Sequence, residues 1–151
     1  MKTRILFALA LVACAAAAQA QQPKPEDQLK LRKAAYSLMG YSFARLGAMA
    51  EGKRPYSKDE AVRYADLLAQ VATVPKAMFG EGTDKVGETR TKPEIWTHRA
   101  DFDTKMNKMV DEVARLQQVA NGGDEAAFKK AVKETDDACT ACHDEYRVKR
   151  R

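Results

Sequence analysis

Residues 124–147 read DEAAFKKAVKETDDACTACHDEYR and carry the clearest structural pattern in the chain. Apolar and weakly polar side chains recur there at three- or four-residue steps: Phe128, Val132, Thr135, Cys139, Cys142 and Tyr146. That period is typical of a helix with one buried face. Asp124 can cap the first turn of this helix, and Gly122-Gly123 ends whatever helix precedes it. The stretch therefore predicts a final helix that presents two cysteines to the interior.

Three earlier stretches show the same period and predict three more helices. The first runs from Pro25 to about Gly52, the second opens at Ser57 and closes at Pro75, and the third runs from Pro93 to Asn121. No stretch alternates apolar and polar residues between turn signals as a strand does. Residues 76–92 lack periodicity and form a long connection. We therefore predict an all-α fold, an antiparallel four-helix bundle.

The composition agrees with one helical domain. The chain has 151 residues, of which 45% are hydrophobic and 31% charged, with only 8 Gly and 5 Pro. These values exclude a disordered or collagen-like chain and argue against an all-β protein rich in turns. A single domain over residues 21–151 follows.

Residues 1–20 predict an export signal rather than part of the fold. A basic start, an apolar run and the A-x-A site Ala18-Gln19-Ala20 form a secretory signal that is cleaved after Ala20. An alternative is a lipoprotein box that ends at Cys14. Both place the protein outside the cytoplasm, in the periplasm. The apolar run is too short to span a membrane.

The charge of the mature chain is mild. Removal of Lys2 and Arg4 lowers the formal net charge from +5 to +3. This value predicts no nucleic-acid partner. It is compatible with weak steering toward acidic redox proteins.

Residues 139–143 form the motif C-x-x-C-H, which is typical of covalent haem c attachment. On a helix, Cys139 and Cys142 lie on one face, so both thiols can reach the two vinyl groups of one porphyrin. His143 follows directly and is placed to ligate the iron. We therefore predict one haem c per chain.

Three alternative roles for the two cysteines fit less well. A thioredoxin-like dithiol needs a βαβ context, and none is predicted. A zinc site needs further ligands, and His98 is the only other histidine. A disulfide between residues three apart in a helix is strained.

The placement of the motif near the chain's end, in the last of four helices, resembles the class II cytochromes c, specifically the cytochrome c′ family. Besides residues 139–147, the resemblance rests on Lys24-Pro25-Glu26-Asp27, Phe79-Gly80 and Pro93-Glu94-Ile95-Trp96. It covers the chain after residue 20. It implies a four-helix bundle, a homodimer, and a high-spin haem that binds NO and CO.

The resemblance also implies roles for residues outside the C-x-x-C-H motif. It places the segment that contains Arg32, Lys33 and Tyr36 across the distal side of the haem, with Tyr36 as the distal residue and Arg32 at a propionate. It makes Arg147 a residue of the proximal pocket. Thr91 is the expected haem contact from the long connection, whose alignment with the family is insecure at residues 81–92.

The sixth position of the iron separates two hypotheses. Tyr36 favours an open, five-coordinate site behind an apolar gate, which suits gas binding together with electron transfer. The alternative is a low-spin electron carrier with Met39 as the sixth ligand. The other candidate ligands are His98, Met49, Met78, Met106 and Met109. An enzyme is not expected, because the sequence has neither a distal His–Arg pair nor a second haem motif. A further alternative leaves Arg32 exposed and packs Tyr36 in the core.

Overall fold

The computed structural model describes residues 23–149, so the predictions for residues 1–20 lie outside the described part. Its helices are α1 (Pro25–Ala50), α2 (Lys58–Ala72), α3 (Val74–Ala77), α4 (Glu94–Thr97), α5 (Arg99–Gly122) and α6 (Glu125–Tyr146). Four of them are long, and α3 and α4 are single turns. Over residues 23–149 the only strand-like pairing is an isolated bridge between Thr91 and Arg147. The predicted all-α class and four-helix bundle are confirmed.

Local signals start α2 and α6 and end α5 as predicted, whereas α2 ends at Ala72 and not at Pro75, which lies within α3. The Ser57 hydroxyl accepts a hydrogen bond from the Glu60 backbone N–H at 3.4 Å and begins α2. The Asp124 carboxylate accepts the N–H three residues later at 2.8 Å and begins α6. Gly123 ends α5 in the left-handed region at φ 82°, which favours glycine. The caps satisfy backbone groups that a helix end leaves unpaired.

The third predicted helix is two helices, so the prediction of one continuous helix over 93–121 is wrong. The backbone leaves helical geometry at His98, with φ −113° and ψ 43°. On one side of the break, the Trp96 indole donates to a carbonyl of residues 79–80 at 3.3 Å. On the other side, the Arg99 guanidinium donates to that segment at 2.8 Å. Because the long connection holds both sides, tertiary contacts override the local helical pattern.

The bundle closes around an apolar core to which all four long helices contribute. Helix α1 packs on α2, α2 on α5, and α5 on α6. The large core side chains that are at most 2% exposed include Leu46, Met49, Leu68, Phe102, Leu116 and Phe128. Burial of each stabilises the fold by roughly 1.5–3 kcal/mol. Among residues 23–149, none of the helices has the length and apolarity that crossing a membrane requires.

Helices α1 and α6 touch each other only over a short stretch. A cavity lies between them, and residues of both helices line it. The bundle is thus closed on three sides and held apart on the fourth, where the predicted functional residues are.

Candidate cofactor site

The cavity between α1 and α6 has a volume of about 680 Å3. All eight residues predicted for the site line it: Arg32, Lys33, Tyr36, Thr91, Cys139, Cys142, His143 and Arg147. They come from α1, from α6 and its end, and from the connection before α4. A volume of this size is typical of pockets that enclose most of an organic ligand.

One wall of the cavity carries the two thiols. Cys139 and Cys142 lie one turn apart on α6, and both are half-buried free cysteines. Burial, together with the nearby Asp136 carboxylate, raises the pKa of Cys139 to about 11. Burial also raises the pKa of Cys142. Both thiols are therefore protonated at neutral pH, unlike the low-pKa cysteine of a redox dithiol.

The same wall carries the imidazole and a guanidinium. His143 follows Cys142 directly on α6, and an Arg147 Nη1 atom lies 3.5 Å from its Nε2 atom. Burial and the positive charges of Arg147 and Arg90 lower the pKa of His143. A neutral imidazole is the form that ligates a metal ion. Across residues 23–149, no group of three or more His, Cys, Asp or Glu side chains is placed to hold a metal ion.

The end of α6 is fixed by the long connection. The bridge between Thr91 and Arg147 is supported by hydrogen bonds from the Lys92 N–H to the Tyr146 carbonyl, at 3.0 Å, and from the Val148 N–H across the bridge, at 2.8 Å. The Lys92 ammonium also donates to two of the last carbonyls of α6 at 2.8 and 3.2 Å. A cation there satisfies carbonyls that the helix leaves free. This pairing brings Thr91 to the cavity.

Arg32 on α1 is only 2% exposed although it carries a charge. Its Nη1 atom donates to the Met78 carbonyl at 3.1 Å and to the Thr83 hydroxyl at 3.4 Å, and its guanidinium lies 4.2 Å from the centre of the Phe79 ring. Its Nη2 atom is buried with no partner among the described residues. A buried unpaired donor of a cation fits a ligand carboxylate, which guanidinium binds through paired donors.

Tyr36 is 36% exposed and faces the cavity. The alternative that leaves Arg32 exposed and packs Tyr36 in the core is therefore wrong. The Tyr36 hydroxyl lies 3.9 Å from the Met106 Sδ atom, so the ring reaches from α1 toward α5. Burial, with the Cys142 thiol as a smaller cause, raises the pKa of Tyr36. The phenol therefore stays neutral at physiological pH.

The candidate sixth ligands separate into two sets. The cavity is lined by three of them: Met39, Met106 and Met109. Met49 is buried in the core away from the lining, Met78 is half-buried outside it, and His98 is exposed. Only the first set remains in contention.

Several lining residues carry no signal that the sequence alone reveals. Arg90 lies in the aperiodic connection, and its Nε atom donates to the Val148 carbonyl at 3.0 Å. Phe102 and Tyr146 pack edge to face with centroids 5.4 Å apart. Periodicity places both on buried faces but cannot separate the core from a cavity wall. The Tyr146 hydroxyl donates to the Asp101 carboxylate outside the cavity at 2.5 Å.

Together these residues fit haem c. Two protonated thiols and an imidazole share one wall, a largely apolar cavity lies in front of them, and the opposite helix holds an unpaired guanidinium donor. The residue types match the vinyl groups, the iron and a propionate of one macrocycle.

Comparisons with known proteins agree with this chemistry. The family model described as Cytochrome C′ matches residues 27–147. Cytochrome c′ from Rubrivivax gelatinosus is 36% identical over 123 residues, which cover 82% of this chain and 95% of that protein. Cytochrome c′ from Alcaligenes xylosoxydans xylosoxydans is 35% identical, with 83% and 96% covered.

Solved structures agree in fold. The crystal structure of cytochrome c′ from Rubrivivax gelatinosus has a TM-score of 0.82 at 36% identity and covers 85% of this chain and 100% of its own. Cytochrome c prime from Shewanella frigidimarina has a TM-score of 0.80 at 35% identity, with 84% and 98% covered. A nitric oxide complex of a cytochrome c prime mutant from Alcaligenes xylosoxidans has a TM-score of 0.77 at 32% identity, with 85% and 100% covered.

Proposed function

The chain belongs to the cytochrome c′ family, and we propose that it is a periplasmic protein with five-coordinate, high-spin iron that binds NO and CO and takes part in electron transfer. The family carries covalently attached haem c. One observation carries the proposal: His143 lies on one wall of the cavity, and the residue that reaches across from α1 is Tyr36, a neutral phenol.

This chain's residues would hold the group as follows. Cys139 and Cys142 would bind it through two thioethers, and His143 would be the axial ligand. Arg32 would pair its buried Nη2 atom with a propionate, since that donor has no other partner among the described residues. Lys33 and Thr91 line the same cavity and would contact its edge. The bound haem supplies the iron to which a diatomic gas or an electron is added.

Three residues of the cavity lining would determine which small molecules reach the open side of the iron. The ring of Tyr36 presents an apolar face, and its hydroxyl is engaged with the thioether of Met106. Phe43 also lines this side. Small neutral molecules can enter such a surface, whereas anions lose hydration there without gaining a partner. The nitric oxide complexes of two mutants of the Alcaligenes xylosoxidans protein support the gas-binding part.

The alternative is a low-spin carrier with Met39 as the sixth ligand. Met39 lies on the cavity wall and is 8% exposed, close enough to the site to be tested. In this alternative the Tyr36 ring would have to move away from its position across the cavity so that Met39 could reach the iron.

An exposed apolar surface on α1 supports the proposal of a homodimer. Leu31, Leu38 and Tyr41 on α1 are 46–49% exposed, an apolar stripe that a second copy of the chain would cover in a homodimer. Phe43, a further apolar residue of this helix, lines the cavity instead. The mild charge is compatible with transient redox partners. We assign no enzymatic turnover.

The periplasmic location rests on the predicted signal. Residues 1–20 would be removed after Ala20, and lipidation at Cys14 remains the alternative. Mass spectrometry of the exported protein separates these possibilities, because a chain that begins at Gln21 excludes a lipid on Cys14.

The gas-binding proposal is tested by CO association with the reduced protein. Tyr36→Ala should speed association, because the ring no longer has to move, and Ser37→Ala, next to it on the cavity rim, should leave the rate unchanged. Met39→Leu should leave the spin state unchanged. A conversion from low to high spin in Met39→Leu would instead establish the alternative.

A further inference from the structure

Gly40 lies in the middle of α1, one turn after Tyr36, and lines the same cavity. A Cβ atom built at this position meets no heavy atom within 4 Å. Glycine weakens a helix interior relative to alanine, because it loses more backbone freedom on folding. Packing among the described residues therefore gives no reason for a glycine here.

The positions one turn before and one turn after Tyr36 on α1 differ in how much space their side chains fill. One turn before it, Arg32 is 2% exposed and is held by two hydrogen bonds and the Phe79 ring. One turn after it, Gly40 has no side chain and faces open space. Side chains on a helix lean toward the N-terminus, so any side chain at position 40 would cover the turn that carries Tyr36.

Among the described residues, Arg32 thus fills the turn before Tyr36, and no side chain fills the turn after it. One contact that holds the ring across the cavity runs from its hydroxyl to the Met106 thioether at 3.9 Å. A sulfur acceptor is weak, so the ring can leave it. No described side chain fills the space beside Gly40, and the ring can then move into it.

We propose that Gly40 is a positioning residue that sets how fast small ligands reach the iron, by leaving the space into which the Tyr36 ring swings. The proposal rests on the gas-binding function above. We therefore expect a side chain at position 40 to slow ligand association by hindering the movement of the Tyr36 ring, without touching the ligand itself.

The test uses the haem-loaded protein and the variants Gly40→Ala, Gly40→Leu and Gly47→Ala. Gly47 is a matched control, since it lies on α1, meets nothing within 4 Å of a built Cβ and is absent from the cavity lining. Both alanine variants should raise the unfolding midpoint by about 2–4 °C. Gly40→Leu should slow CO association by about tenfold or more, as overpacking around a moving side chain does, whereas Gly47→Ala should leave it unchanged.

A double variant isolates the route through the tyrosine. In Tyr36→Ala/Gly40→Leu the ring is gone, so the slowing caused by the leucine should disappear, and the two changes should be strongly non-additive. If the leucine slows association equally with and without the ring, it blocks the ligand directly and the proposal is overturned.

Two other results would also overturn it. Gly40→Leu could bind CO at the wild-type rate, or it could change only the sedimentation of a dimer, in which case the glycine serves close approach of a second chain. Failure of the underlying function is distinguishable, because Tyr36→Ala alone would then leave CO association unchanged.

Discussion

Replacement of Arg32 by methionine removes a buried cation while keeping most of the apolar volume. Two hydrogen bonds from its Nη1 atom are lost, to the Met78 carbonyl and the Thr83 hydroxyl, together with the stacking on Phe79. Hydrogen bonds that involve a charged group each contribute about 1.5–3 kcal/mol, and the cation–π contact contributes about 1–2 kcal/mol. If a propionate pairs with Nη2, that carboxylate loses its partner as well.

Relief from burying the guanidinium offsets part of this loss. Loss of one partner from a buried ion pair costs about 3–5 kcal/mol net. We therefore expect Arg32→Met to lower the free energy of unfolding of the haem-loaded protein by about 3 kcal/mol, roughly a hundredfold in the unfolding equilibrium constant. Guanidinium unfolding of the ferric protein, followed by far-UV circular dichroism and the Soret band, measures it.

Lys30→Met is the matched control. It removes the same charge from a position two residues earlier on α1, where the side chain is exposed and does not line the cavity. Surface substitutions of this kind change stability by no more than about 0.5 kcal/mol. An Arg32→Met loss as small as that of the control, or a gain in stability, would refute the pairing of the buried guanidinium with a carboxylate.

Three smaller predictions concern the ends of α5 and α6. Asp124→Ala should cost about 1 kcal/mol of unfolding free energy, because the α6 cap is lost, and an unchanged denaturation midpoint would contradict this. Gly123→Ala should cost about 1–2 kcal/mol, since its φ is 82°; equal stability would show that the turn relaxes. Hydrogen bonds from Lys105 and Tyr146 lower the pKa of Asp101 below its ordinary 3.8. The stability they add is present above that value and is lost as the pH falls through the lowered pKa. Tyr146→Phe should therefore shift the Asp101 titration, followed by carboxyl NMR, upward, and an unmoved titration would exclude the contact.

The long helices were predictable because their causes are local. Apolar spacing, the Ser57 and Asp124 caps and the stop at Gly123 all act within a few residues, so the sequence contains them directly. The break at His98 was missed because its cause is remote. Hydrogen bonds from Trp96 and Arg99 to a segment about twenty residues earlier leave no local pattern.

The attachment residues of the site were predictable for the same reason, since the C-x-x-C-H spacing works on a single turn of helix. The pairing of Thr91 with Arg147 was not, because it joins segments far apart in the chain. Thr91 was reached only by family resemblance, and Arg90 was missed.

Which side chains of α1 are buried could be established only from the structure. Periodicity puts both Arg32 and Tyr36 on the inner face and favours burying the aromatic residue rather than the charged one. In the fold the charge is buried and the ring faces a cavity, because the helix lines a ligand site rather than a continuous core.

The most direct measurement is the visible absorption spectrum of the exported, purified protein, recorded oxidised, reduced, and reduced under CO. We expect a covalently retained high-spin haem whose reduced spectrum shifts when CO is added, since the residue that reaches across the cavity from α1 is Tyr36, a neutral phenol. A low-spin spectrum that CO leaves unmoved would contradict it and would assign the sixth position to a protein ligand, with Met39 the first to replace.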